Sequence, residues 1–584
     1  MKTAYQTFVI AFFSVSAFVA CESDFLERYP QSEISPQLYF NTEKDLETYT
    51  NSFYAYLPAN NIYMADFSSD NVDVSAIDEV VTGRRRVPTD AASAGWTWSE
   101  LYNINYFLAH YNKSEIPEED RRHYGGVARF FRAYFYFEKL KRFGDVPWYG
   151  EPLDVDSEGL FKGRDPRTLI VDSIIADLDI AIDGLRLAKT DATINRWTAL
   201  ALKSRVCLFE GTFRKYHTEL QLQSSATALL EASAAAANEL INNGPYRLAT
   251  GDPETVYLQL FAVQAPNANE FILSRLYSLD VNKSHPLNNI FTSPTRGNPG
   301  ITKGLMDSYL LRDGRPFSAL PNHGEMPFWE ETEGRDPRLS QTVRTPGYRR
   351  IGADESSASL VPDYANAFTG YQNIKFVSTP DQDAASYTPL PIFRLAEVLL
   401  NYAEALAELG RLSQVDADRS INLLRSRVEM PSLNVTAIVP DPILQNQYDH
   451  TDDPLILEVR RERRVELALE GFRYYDLMRW KEGHLLAETF YGAYYPGKGT
   501  FDLDNDGNDD IAVVDTRPNN PVAGLQYFTL PPDKALSEGD MGNIIVHPTI
   551  DKVFDEEKDY YYPLPINELI LNPTLRQNEG WPTR

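Results

Sequence analysis

Cysteine is nearly absent, with Cys21 and Cys207 the only two in 584 residues, so no disulfide framework and no Cys-x-x-Cys metal or redox pair organises this chain. Histidine is scarce as well, at eight residues, and no His-Glu-x-x-His, Gly-x-Ser-x-Gly or phosphate-cradling glycine loop occurs. The familiar sequence signatures of hydrolytic and nucleotide chemistry are therefore missing. Acid neighbours such as Glu330 and Glu331 would suit a glycosidase, but with 83 acidic residues such pairs arise freely. Basic residues are in deficit, 56 Lys and Arg against those 83, for a formal charge of −27. That balance excludes nucleic acid, whose binding needs clustered cations to release counterions, and the run Arg84 to Arg86 is too short to reverse it. An acidic surface also finds little attraction to anionic lipid. Linkers rich in Pro, Gly and Ser are lacking too, which favours one large folded unit over a string of small domains.

The only long apolar run is at the start. Lys2 precedes an uncharged stretch from Phe8 to Ala20, which has the length of an export signal rather than of a membrane span. It ends Phe18-Val19-Ala20-Cys21, a pattern that resembles a lipobox, with Phe18 where Leu is usual. Cys21 is thus the expected lipidation site, each acyl methylene contributing ~0.8 kcal/mol of membrane affinity. The acidic Glu22-Ser23-Asp24 that follows resembles the surface-export signal of Bacteroidota lipoproteins. Cys207, left without a partner in the apolar run 199–209, reads as a small buried hydrophobe.

Helical periodicity dominates the body. Leu395, Val398, Leu399, Tyr402, Leu406 and Leu409 share one face of a helix over 393–410, with Gly410 as its stop. Similar patterns predict helices over 46–57, 98–111, 126–143, 168–187, 196–216, 224–242, 420–428 and 456–481. Neighbouring helices joined by short turns stack as tetratricopeptide-like pairs do, although that repeat's consensus is absent. Between 251 and 390 the helical period fades while Pro, Gly, Asn and aromatics rise, which predicts loops and short strands.

Five stretches in order resemble the SusD/RagB family. They are Ala128-Arg129-Phe130-Phe131-Arg132-Ala133-Tyr134 running on to Phe143-Gly144-Asp145-Val146-Pro147; Arg335-Asp336-Pro337-Arg338-Leu339; the run 391–405 around Phe393-Arg394-Leu395-Ala396-Glu397; the run 460–480 around Glu470-Gly471-Phe472-Arg473-Tyr474-Tyr475-Asp476; and the close from Pro563 to Trp581. The resemblance implies a mainly α SusD-like fold with four tetratricopeptide-like helical hairpins plus a loop-rich, short-strand ligand-binding region. It divides the chain into a lipoprotein signal peptide (1–20), an N-terminal SusD-like helical part (21–250), a loop-rich insertion forming much of the ligand face (251–390) and a C-terminal helical part with an acidic loop (391–584). It further implies a lipid-anchored outer-membrane protein, exposed on the cell surface, that captures glycan without cleaving it and delivers it to a SusC-like TonB-dependent transporter. Peptide capture in the manner of the RagB branch is the nearest alternative; a surface glycosidase or an adhesive repeat protein lies further off.

The most recognisable residues read as scaffold. Arg463 with Glu466, and Glu470 with Arg473, stand three apart, as surface helix pairs do, and Arg394, Glu397, Asn401 and Glu404 share a face suited to interhelix bonds. Sugar recognition needs flat rings flanked by carboxylates, amides and Arg. In the regions the family uses for ligand, the candidates are Tyr63, Asp66, Asp70, Arg84, Trp96 and Asn103, then Tyr277, His285, Phe291 and Trp329. Trp98, Tyr102 and Asn105 are spaced to pack a hairpin instead. No catalytic cofactor is expected. The one metal signal is 502–510, where Asp502, Asp504, Asp506 and Asp510 by side chain and Asn508 by backbone carbonyl would ligate a structural Ca²⁺, with Gly507 for the turn and Val513 where an EF-hand has Glu. Labelled palmitate is expected to enter the wild type and not Cys21→Ala; label in both, or in neither, refutes the anchor.

Overall fold

The computed structural model describes residues 39–583 apart from 114, 155, 191, 355–360 and 531, so the export signal and Cys21 lie outside the described residues. Eleven helices frame the molecule: α1 Glu43–Asn51, α2 Ser99–His110, α3 Glu118–Phe143, α4 Arg167–Gly184, α5 Arg196–Tyr216, α6 Ala226–Asn243, α7 Leu395–Glu408, α8 Ile421–Arg427, α9 Pro454–Glu466, α10 Arg473–Trp480 and α11 Ile566–Leu571. Their ends follow local chemistry. Thr42 and Asp45 close a capping box on α1, Asn195 and Thr198 one on α5, and Asp453 caps α9 ahead of Pro454. No described helix is long and apolar enough to cross a membrane.

Helix α3 begins eight residues before the periodicity predicts. Its first turn, Glu118, Glu119 and Asp120, is acidic and its last carries Lys141 and Arg142, a distribution that suits the helix dipole but hides the apolar period. The pair Gly125-Gly126 is not a break. A Cβ at Gly125 would stand 2.6 Å from the Tyr111 ring and one at Gly126 3.0 Å from Leu185 Cγ, so glycine lets two neighbours press against the helix. Helix α3 packs on α4, α5 on α6, and α7 lies against α5, α6 and α9, giving a helical core in which Phe130, Phe137, Leu202, Val398 and Leu400 are buried. Cys207 is fully buried, and burial pushes its thiol up to about 12, which leaves it inert at neutral pH.

A second core joins the middle region to the C-terminal part. Two-residue strands Val72–Asp73 and Gly300–Ile301 pair, and β1 Phe271–Arg275 pairs antiparallel with β2 Leu390–Arg394. The expected helical character of 391–584 fails between α10 and α11. Here β3 Tyr491–Tyr495, β4 Gly499–Phe501, β5 Ile511–Val514, β6 Gln526–Thr529, β7 Lys534–Leu536 and β8 Gly542–Val546 form two three-stranded sheets, ordered β3-β8-β7 and β4-β5-β6. Their inward residues Ile511, Val513, Phe528 and Ile544 pack with Phe271, Tyr309 and Tyr371 of the middle region. Strands this short carry too little alternation to be read from sequence.

The predicted helix over 456–481 is two helices. Between α9 and α10 the chain turns sharply, with Leu469 at φ 63° and Gly471 at φ 79°, and a Cβ at Gly471 would fall 2.1 Å from the Ile62 carbonyl oxygen. The turn redirects the charges that sequence spacing paired three apart. Glu466 instead meets Arg394 (2.7 Å), Arg427 (2.7 Å) and Arg338 (3.0 Å), while Glu470 meets Arg394 and Lys375, each at 2.7 Å. Arg463 reaches Asp476 (2.8 Å), and Arg473 reaches Asp70 (2.6 Å). All of these groups are buried. The expected interhelix role of the 394–404 face holds: Glu397 takes Arg205, Asn401 bonds Ser204 and Arg463, and Glu404 takes Arg479. Removing one carboxylate strands several buried cations, so Glu466→Ala is expected to lower the unfolding free energy by about 3–5 kcal/mol in urea titration. An unchanged midpoint would refute the lattice as a structural element.

Candidate functional site

Between α2, the loop 147–161 and α11 runs an open groove of about 370 Å³ lined by Trp98, Tyr102, Tyr149, Leu160, Phe161 and Leu571. Phe161 is 54 % and Tyr102 43 % exposed, among the most accessible aromatic rings described. The walls are fixed from behind. Trp98 stands edge-on to Trp96 (5.2 Å) and Tyr149 (5.5 Å), with the Lys139 ammonium 5.6 Å from its ring. Asn105 donates to the Tyr149 and Glu151 carbonyls at 2.8 and 3.2 Å, pinning the loop to α2. The other end is held by Thr574, whose hydroxyl donates to the Phe161 carbonyl (2.6 Å), and by Asn572, whose amide donates to the Lys162 carbonyl (3.0 Å). Glu151 and Glu568 supply carboxylates, and burial raises the Glu568 carboxyl above its ordinary value. Half-open rings beside carboxylates suit a ligand with both C–H faces and hydroxyls.

Most of the predicted ligand residues are instead interior. Tyr63 is buried with its hydroxyl on the Pro391 carbonyl, and Phe291 is buried against Phe67. Asp66 accepts the Leu469 N–H at 2.6 Å and supports the α9–α10 turn; burial pushes its carboxyl up to about 6. At Asp70 burial opposes the charge, but Arg464 and Arg473 more than offset it and hold the carboxyl at about 2. Trp96 does line the groove, as expected of a ligand residue, but at 2 % exposed it contributes only an edge to the wall behind Trp98. His285 is buried with Nε2 on the Thr388 carbonyl (3.0 Å), and burial holds its ring neutral down to about 4. Arg84 is exposed on the Asp551 carbonyl (3.0 Å), Asn103 is exposed on the Tyr56 hydroxyl (3.1 Å), and Tyr277 and Trp329 are half-buried. These four are not brought together, and none lines the groove. Tyr102, expected in the core, is exposed instead, whereas Asn105 is buried as expected.

Comparison with known proteins decides the family. The sequence profile described as the SusD family matches residues 270–581, more than half of the chain. The chain belongs to the SusD family. A second profile, described as starch-binding associating with outer membrane, matches residues 24–208. The SusD-like protein P38 of Formosa agariphila is 25% identical over 82% of this chain and 91% of its own length, and a SusD-like protein of Bacteroides ovatus is 22% identical over 96% and 95%. Among solved structures, a SusD-like protein from Bacteroides fragilis superposes with a TM-score of 0.69 at 22% identity, covering 95% of this chain and all of that one. A SusD-like carbohydrate binding protein from the same species gives 0.67 at 22%, covering 92% and 99%. The mainly α SusD fold is thus established.

In this SusD-family chain the acidic loop closes differently from its sequence pattern. Asp502, Asp504 and Asp510 bring carboxylate oxygens within 4.8 Å of one another. Asp506 is not one of this group; its carboxylate accepts the Asn508 N–H at 2.8 Å. The Asp502 carboxylate accepts the N–H groups of Asn505 (2.6 Å) and Gly507 (2.7 Å), so the turn is closed by protein bonds, and three of the four expected carboxylates converge. The groove residues Tyr149, Phe161 and Glu568 escaped the sequence reading. Their signal was faint: aromatics in a polar loop after Pro147, and a glutamate about 400 positions further on.

Proposed function

We propose that the chain is a surface glycan-binding lipoprotein, anchored to the outer membrane through Cys21, that seats oligosaccharide in the Trp98–Tyr102–Tyr149–Phe161 groove and passes it intact to a SusC-like TonB-dependent transporter. The observation that carries the reading is the groove itself, an exposed aromatic platform flanked by Glu151 and Glu568 and braced before any ligand arrives. The names carried by its relatives, carbohydrate binding and starch-binding associating with outer membrane, support the same ligand class. Rings stack on pyranose C–H faces while carboxylates accept hydroxyl hydrogen bonds. Because the walls are already fixed, little ordering cost falls on binding. In affinity electrophoresis through single polysaccharides, the wild type is expected to be retarded by its glycan. Tyr102→Ala and Phe161→Ala should each weaken this about tenfold, the worth of one ring contact at ~1.5 kcal/mol, while Tyr491→Ala on β3 should not. Retention unchanged in both groove variants sinks the site, and release of reducing sugar sinks the binding-only role.

The acidic loop adds a proposal of its own: Asp502, Asp504 and Asp510 hold a structural Ca²⁺, which lowers the repulsion among them. Calcium should then raise the thermal midpoint of the chain and chelator reverse it. Identical melts with calcium and with chelator count against the site.

A further inference from the structure

The groove of Trp98, Tyr102, Tyr149 and Phe161 is lined by two carboxylates, Glu151 and Glu568, and by no Lys, Arg or His among the described residues. Burial is the one cause that shifts the Glu568 carboxyl, and it acts upward, as for an acid that no cation approaches. The rim continues the same sign: Glu151, Asp154, Asp156 and Glu158 are all exposed on the loop that carries Phe161. The nearby cations are turned to other partners. Arg132 is held by both oxygens of Asp177 (2.6 and 2.7 Å) and donates to Asn105 Oδ1 and the Gly150 carbonyl, each at 3.1 Å. Lys162 pairs with Asp165 (2.5 Å) and donates to the Trp148 carbonyl (2.9 Å). Lys139, buried against Trp98, donates to the Gly95 carbonyl (2.5 Å), and burial lowers its ammonium to about 8. Amide donors are spent as well, Asn105 on the Tyr149 and Glu151 carbonyls and Asn572 on the Lys162 carbonyl. Leu153, Leu160 and Leu571 add apolar wall. An ionised carboxylate entering here would exchange water for leucines and two like charges, with no cation to offset the cost. A hydroxyl loses far less and gains a charged acceptor.

We propose, on the reading that this groove seats glycan, that Glu151 and Glu568 set its charge selectivity: it takes saccharide units free of acidic groups and rejects units bearing a carboxylate. Calorimetry on the full chain tests this with neutral gluco-, manno- and galacto-oligosaccharides, each beside its C6-oxidised uronate form. Salt is held at 0.15 M, where screening over about 8 Å removes most of the repulsion from distant acids of the −27 chain. The oxidised form of whichever oligosaccharide binds is expected to bind at least tenfold more weakly than the neutral form. Glu151→Gln and Glu568→Gln, which keep an acceptor oxygen, should each narrow that ratio about threefold. Glu333→Gln, which removes an exposed acid outside the groove, should leave the ratio unchanged. Equal or tighter binding of the oxidised form overturns the selectivity and leaves glycan capture standing, as does a ratio unmoved in both groove variants or narrowed equally by Glu333→Gln. No binding by any oligosaccharide in either form overturns glycan capture with it.

Discussion

Glu466 sits where four sequence-distant pieces of the molecule meet. Arg338 comes from the middle region, Arg394 from the end of β2, Arg427 from α8 and the glutamate itself from α9. Such a carboxylate is expensive to desolvate, and its cost is offset only if every surrounding cation keeps its place. The β1–β2 register sets Phe271 opposite Arg394, which brings Glu270 within 3.0 Å of the same guanidinium. Arg338 is further held by Asp336 and Glu462, each at 2.7 Å. Because a one-residue slip would strand a charge in the interior, the lattice selects one packing of the helical core against the strand-rich core more than it adds net stability.

That rigidity has a consequence at the surface. The α9–α10 turn, held by Asp66 and by the close approach of Gly471 to Ile62, points α10 back toward α5, and Arg479 donates to Thr212 of α5 (3.1 Å) and to Glu404 of α7 (2.8 Å). The tail then returns across α3. The Tyr562 N–H donates to the Arg142 carbonyl (2.7 Å), and Asn578 bridges the Phe143 carbonyl and Arg164. This clasp carries α11 to the foot of α2 and completes the aromatic groove from segments more than 400 residues apart.

The charge distribution follows a related division. Most arginines of the recognisable motifs are spent inside, against buried carboxylates, so the surface keeps the acidic excess. A surface of that sign offers no long-range attraction to anionic partners.

Sequence by itself determined the helices whose apolar faces repeat over several turns, such as 196–216 and 393–410, the inert burial of Cys207 and the family. Those features rest on contacts a few residues apart, or on a motif order that survives divergence. It also showed that the 394–404 face makes interhelix bonds, though not with whom. Tertiary structure alone decided that the charges around 460–480 turn inward, that 491–546 carries six short strands, and that Tyr63, Asp66, Asp70, His285 and Phe291 support the interior. A ring or a carboxylate has the same letter whether it lines a groove or fills a core. Which it does depends on neighbours brought in from hundreds of residues away, as Phe161 and Glu568 are.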